Sequence, residues 1–130
     1  MKAYTDIEQS RKLAEILPLE SADMFCADVF DKDKETHSYN FHILSTWGCN
    51  TFEELKDKEN KFLHFIPCWS LTALLDLCPT INGKQPILTR GKLTSLWYCY
   101  YEDEIDTQTY DNPIDACYEM ITRLNELNLL

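Results

Sequence analysis

Ile7, Leu13, Ile16 and Leu17 recur at the spacing of one helical face, with Glu8, Arg11, Lys12 and Glu15 on the wet side. Thr5 opens this predicted helix with a capping box, because Glu8 stands where it can reach back to the cap N–H, and Pro18 ends it. From Ala22 to Phe30 the apolar residues Met24, Phe25, Cys26, Val29 and Phe30 predict a strand. Asp31 to Glu35 is a charged, solvated turn, and Tyr39 to Leu44, with Phe41 and Ile43 on one face, returns as a second strand to close a hairpin.

Trp47, Gly48 and Cys49 fall in a loop, after which Thr51 caps a short helix through a second box with Glu54, turning Phe52 and Leu55 inward. Phe62 to Ile66 is extended, since the residue before a proline is pushed out of the helical region. The stretch Ile66 to Pro79 then holds a short apolar helix between two prolines. Ser70 is a suitable N-cap, Trp69 can pack on Leu74 as a hydrophobic staple, and Leu71, Leu74, Leu75, Leu77 and Cys78 leave only Thr72 and Asp76 clearly polar.

Asn82-Gly83 signals a turn; Gln85 to Thr89 reads as a strand joined by a tight Arg90-Gly91 turn to Lys92 through Glu102. That last strand has apolar residues on both faces, Leu93, Trp97, Cys99 and Tyr101 alternating with Leu96, Tyr98 and Tyr100. It is expected to be central in a sheet and covered at least partly on each side. Glu102 to Asp106 is an acidic connection. Asn112 caps the final helix, Pro113 takes its first position, and Cys117, Met120, Ile121, Leu124 and Leu127 give the buried stripe, with Glu119 and Arg123 paired outside.

The order helix, hairpin, two helices, hairpin, helix predicts an α+β fold: one antiparallel sheet of about four strands built from two hairpins, with four helices on one face or end. At 130 residues the chain suits a single domain spanning residues 1–130.

Composition narrows the choice of partner. The 22 acidic residues against 12 basic ones leave a net charge of −10, which disfavours direct contact with a phosphate backbone and favours a protein partner with a basic surface. No apolar run reaches the length of a membrane span, and the N-terminus leads straight into a charged amphipathic segment, so the expectation is a cytoplasmic protein. The six cysteines then act as small hydrophobes and not as disulfides.

Candidate chemistry is sparse. His37, His42 and His64 with the cysteines supply metal-ligand atom types, but no Cys-x-x-Cys or His-x-x-x-His pair occurs, and no metal or other cofactor is expected. Asp31, Asp33 and Glu35 alternate with lysines and lack the glycine and terminal glutamate of a calcium loop. Neither a phosphate-cradling glycine loop nor a nucleophile elbow is present. Cys68, before a helix start and four residues after His64, is the best nucleophile candidate; a buried inert thiol between Pro67 and Trp69 is the competing reading.

The segments Ile16 to Met24, Ile66 to Leu71 with Leu74, Leu75 and Pro79, and Asp111 to Cys117 resemble those of small uncharacterised proteins encoded on prophages and other mobile elements of gut anaerobic bacteria. The resemblance implies a cytoplasmic single-domain accessory protein and carries over no activity, cofactor or catalytic residue.

The leading expectation is a non-enzymatic protein that binds another protein through an acidic, tyrosine-rich surface of Tyr98, Tyr100, Glu102, Asp103, Glu104 and Asp106. The alternative is a small-ligand module or minor enzyme with a pocket near His64, Cys68 and Trp69. Self-association as a homodimer is a third possibility.

Overall fold

The computed structural model describes residues 2–130. The chain divides into two compact units, Asp6–Ser70 and Leu71–Leu130, the latter together with the N-terminal segment ending at Thr5. Each is built on its own three-stranded antiparallel sheet. The α+β class is as expected, but the single sheet of about four strands is corrected to two sheets, because each hairpin recruits a third strand.

In the unit Asp6–Ser70, helix α1 (Ile7–Ile16) is followed by strands β1 (Met24–Asp31) and β2 (Thr36–Ile43), helix α2 (Phe52–Lys56) and strand β3 (Leu63–Cys68). The strand order is β2-β1-β3, so β1 is central, with Asp28 opposite Tyr39 on one side and His64 on the other. The segment expected only to be extended before Pro67 is therefore a full strand that includes the proline. A proline has no N–H for a ladder and is tolerated at a sheet edge, the position β3 occupies.

The cap of α1 is corrected from Thr5 to Asp6. The sequence holds two overlapping boxes, and it is Asp6 that accepts from the Gln9 N–H at 2.8 Å while Gln9 Oε1 accepts from the Asp6 N–H at 3.2 Å. A carboxylate at this end also complements the helix dipole, which a threonine hydroxyl does not. Thr51 caps α2 as expected, and Glu54 reaches one residue further back, accepting from the Asn50 N–H at 3.0 Å. The hairpin tip is closed by Asp31, whose Oδ1 accepts from the N–H groups of Asp33 and Lys34.

Both faces of β1 are packed. On one, Cys26, Ile66 and Cys68 are buried together with Ile7, Met24 and Phe41 around them. On the other, Phe25, Trp47 and Phe65 meet edge to face with centroids 5.4 to 5.8 Å apart. Such pairs contribute about 0.5–1.5 kcal/mol each beyond the burial of their area.

The unit that begins at Leu71 contains α3 (Leu71–Leu77), β4 (Ile87–Arg90), β5 (Trp97–Tyr101), β6 (Ile105–Asp106) and α4 (Pro113–Glu126). Its sheet is a meander, β4-β5-β6, with β5 central as expected. The predicted tight turn at Arg90-Gly91 is corrected. Arg90 pairs with Trp97, so residues 91–96 form a loop, tied by the Gly91 N–H to the Leu96 carbonyl at 2.8 Å and by Ser95 in the left-handed region at φ 58°. Leu93, expected on a strand face, stands at this loop's tip and is 99% exposed.

The acidic connection after Tyr101 is itself a hairpin. The Glu104 N–H donates to the Tyr101 carbonyl at 3.0 Å, Asp103 takes φ 58°, and β6 pairs Ile105 with Tyr101 and Asp106 with Tyr100. Asn112 caps α4 as expected, accepting from the Asp115 N–H at 2.9 Å. Cys117, Met120, Ile121 and Leu124 are fully buried, whereas Leu127 lies past the last helical residue and is half exposed.

Candidate functional site

Alternation along β5 decides which side chains are available. Cys99 and Tyr101 are buried on the side that packs against α4, and the Tyr101 hydroxyl donates to the Pro79 carbonyl at 2.7 Å. Burial, and next the Cys78 thiol, raise the Tyr101 pKa well above its ordinary value, so it is a neutral core group. Tyr98 and Tyr100 point the other way, half-buried, with their rings stacked at 5.6 Å.

The tight turn after Tyr101 folds three carboxylates back beside those rings. Tyr98, Tyr100, Tyr101, Asp103, Glu104, Ile105 and Asp106 line a cavity of about 440 Å³. Five of the six residues expected to form the contact surface are thereby brought together. Glu102 is the exception: it does not line the cavity, and its carbonyl accepts from Lys84 Nζ at 2.7 Å.

The carboxylates are not equivalent. Glu104 accepts from Asn82 Nδ2 at 2.9 Å and lies 3.9 Å from Lys84 Nζ, which orients it and offsets part of its charge. Asp103 and Asp106 have no side-chain hydrogen bond or ion pair among the described residues. The Arg123 guanidinium donates to the Asp106 main-chain carbonyl and leaves both carboxylates without a side-chain partner among the described residues. Tyrosine rings and such carboxylates around one cavity form an environment suited to a cation, because the ring quadrupole and the negative charge act in the same direction. Nothing in the lining is a nucleophile paired with a base.

The alternative cluster does not assemble. Cys68 is fully buried, with the Ser10 hydroxyl donating to its sulfur at 3.4 Å, and burial pushes its thiol up to about 12. A thiol that stays protonated at neutral pH, with no exposure, is not a nucleophile. His64 lies at the other end of β3, about 13 Å along a strand that rises ~3.3 Å per residue. It is mostly exposed, with Nδ1 3.9 Å from Glu59. Trp69 is buried and its indole N–H donates to Ser21 Oγ at 2.9 Å. Each has a structural occupation, and the exposed His64 is not brought together with the buried Cys68 and Trp69.

One pairing lies outside the candidates that the sequence offers. Asp28 is the one buried carboxylate among the described residues, and His37 Nδ1 lies 2.7 Å from its Oδ1. The ring of His37 stacks on Tyr39. An aspartate inside an otherwise apolar strand was the available signal. Cys26, on the same face, is held protonated up to about 11 by burial and then by Asp28, so the pair has no nucleophile to activate. Among the described residues no three His, Cys, Asp or Glu side chains converge as a metal site, and no helix is long and apolar enough to cross a membrane.

Compared with protein-family models, with curated proteins and with solved structures, the chain finds no match in any of the three.

Proposed function

We propose that this chain is a non-enzymatic accessory protein, of the mobile-element kind its resemblance implies, that binds a basic surface of another protein. Its contact is the open face of β5 and the turn that follows. What carries the reading is the convergence of Tyr98, Tyr100, Asp103, Glu104 and Asp106 on one cavity, with the Asp103 and Asp106 carboxylates lacking a side-chain partner among the described residues. The net charge of −10 acts in the same direction, steering a basic partner in and repelling nucleic acid.

The tyrosines supply contact area at low entropic cost and the carboxylates supply selectivity for cationic side chains. An arginine fits this chemistry better than a lysine, since a guanidinium stacks on an aromatic face and pairs with a carboxylate through two parallel hydrogen bonds. The test is affinity capture from native lysate across a salt series, with the wild type beside a variant carrying Asp103→Asn and Asp106→Asn. A basic protein held at low salt, released at high salt and lost by the variant supports the proposal. Capture that is indifferent to both salt and the variant removes it.

A further inference from the structure

The two sheets present four edges, and three are guarded. β3 carries Pro67, and its residues 65–68 are buried. β4 has four residues, follows Pro86 and ends on Arg90; β6 has two residues. β2 is different: an eight-residue strand, Thr-His-Ser-Tyr-Asn-Phe-His-Ile, at the edge of its sheet beside β1. It has no proline and no lysine, arginine, aspartate or glutamate. Thr36 to Asn40 are exposed, and Tyr39 and Ile43 remain 42% and 54% accessible. A long edge without lysine, arginine, aspartate or glutamate and rich in strand-forming side chains is a template for another strand, and folded proteins ordinarily block such edges with proline, charge or brevity.

We propose that the outer edge of β2 pairs antiparallel with the same strand of a second copy of this chain, about a two-fold axis at Asn40. Copies carrying a net charge of −10 repel one another over most of their surface, and β2, which has no aspartate or glutamate, is a strip on which they can meet with less repulsion. The register follows from the faces. A two-fold axis perpendicular to the sheet keeps each face on its own side, so residues of the same face must meet, as in any isologous contact.

Centring on Asn40 uses the strand most fully. Asn40 meets Asn40, Tyr39 meets Phe41 twice, Ser38 meets His42 and His37 meets Ile43. Glu35, at the hairpin tip, falls opposite Ser45, so this register sets no carboxylate against another. The paired Tyr39 and Phe41 rings supply the aromatic cross-strand contacts that favour antiparallel ladders, and Ile43 loses its exposure. The product is a continuous six-stranded sheet, β3-β1-β2 followed by the same three strands in reverse.

The experiment is sedimentation of the full chain over a concentration series, for the wild type, for Asn40→Lys and for Leu93→Lys as a control at an exposed loop. The wild type and L93K are expected to reach twice the 15.3 kDa mass of one chain. N40K sets like charges directly opposite at the axis and is expected to weaken self-association by about tenfold or more, with unchanged circular dichroism. Asn40→Cys is expected to give a covalent dimer on mild oxidation, against a low background because the six native cysteines are buried. A wild type that stays monomeric throughout overturns the proposal. So does a dimer that N40K leaves intact and N40C fails to cross-link.

Discussion

β1 and β5 are both central strands of three-stranded antiparallel sheets, and both carry apolar residues on each face, yet they are used differently. Phe25, Cys26, Ala27 and Asp28 are buried in succession, because aromatic packing covers one face of β1 and an apolar cluster covers the other. β5 is buried only at alternate positions, Cys99 and Tyr101, and Tyr98 and Tyr100 between them stay half-buried over a cavity. Apolar residues on both faces of a strand therefore have two physical meanings: a doubly packed core strand, or a strand with one core face and one face equipped for contact. What separates them is the polar chemistry brought in by the next turn. The turn after β1 points its charges into solvent at a hairpin tip, whereas the turn after β5 sets Asp103 and Glu104 around the same cavity as Tyr98 and Tyr100.

The sharpest way to test this difference is to truncate an aromatic on each strand. Phe25→Ala empties a fully buried site between Phe65 and Trp47 and is expected to cost about 3–5 kcal/mol in denaturant unfolding. Tyr100→Ala removes a ring of similar size and is expected to cost less than about 1.5 kcal/mol, because that ring keeps its solvent access. Equal losses would show that β5 is packed on both faces.

Tyr101→Phe is intermediate. It preserves the ring and deletes the hydroxyl that donates to the Pro79 carbonyl, for an expected loss of about 1 kcal/mol. Set beside Tyr98→Phe, which removes no hydrogen bond among the described residues and is expected to be near neutral, it separates the core face of β5 from the open one residue by residue.

Alkaline pH gives a further contrast. The Cys68 and Cys78 thiols are pushed up to about 12 and that of Cys26 to about 11, all by burial first, so the folded state holds these protons where the unfolded chain releases them. Their contribution to stability is full below the ordinary thiol range near 9 and is lost progressively as pH rises through 11 to 12. The melting temperature is expected to fall across that window, and Cys68→Ala to make the fall shallower by up to about 1.4 kcal/mol per pH unit in stability. A melt that does not depend on pH between 9 and 11 would contradict the burial of these thiols.

Much of the fold was legible in the sequence because it is locally encoded. Thr51, Asn112 and Pro113 mark helix starts through groups within three residues of them, and the alternation of β1 and β2 gives their hairpin. What escaped depended on partners distant in sequence or on competition between neighbours. Pro67 reads as a strand terminator until its place at a sheet edge is known. Asp6 outcompetes Thr5 for the same helix end. Ser95 in the left-handed region converts the start of an expected strand into a loop. At the candidate site, the identities of Tyr98, Tyr100, Asp103, Glu104 and Asp106 were readable from aromatic alternation and charge. Which side of β5 is open was not, since that depends on where α4 packs. The Asp28–His37 pair was missed because it exists only in the register between two strands.

The central claim is that the open face of β5 is a contact surface for a basic protein, and the most direct measurement is tyrosine modification mapped by mass spectrometry, with the captured partner present and absent. The account predicts that Tyr98 and Tyr100 are labelled in the free protein and protected in the complex, while Tyr101 is unreactive in both. Labelling of Tyr98 and Tyr100 that the partner leaves unchanged would contradict it.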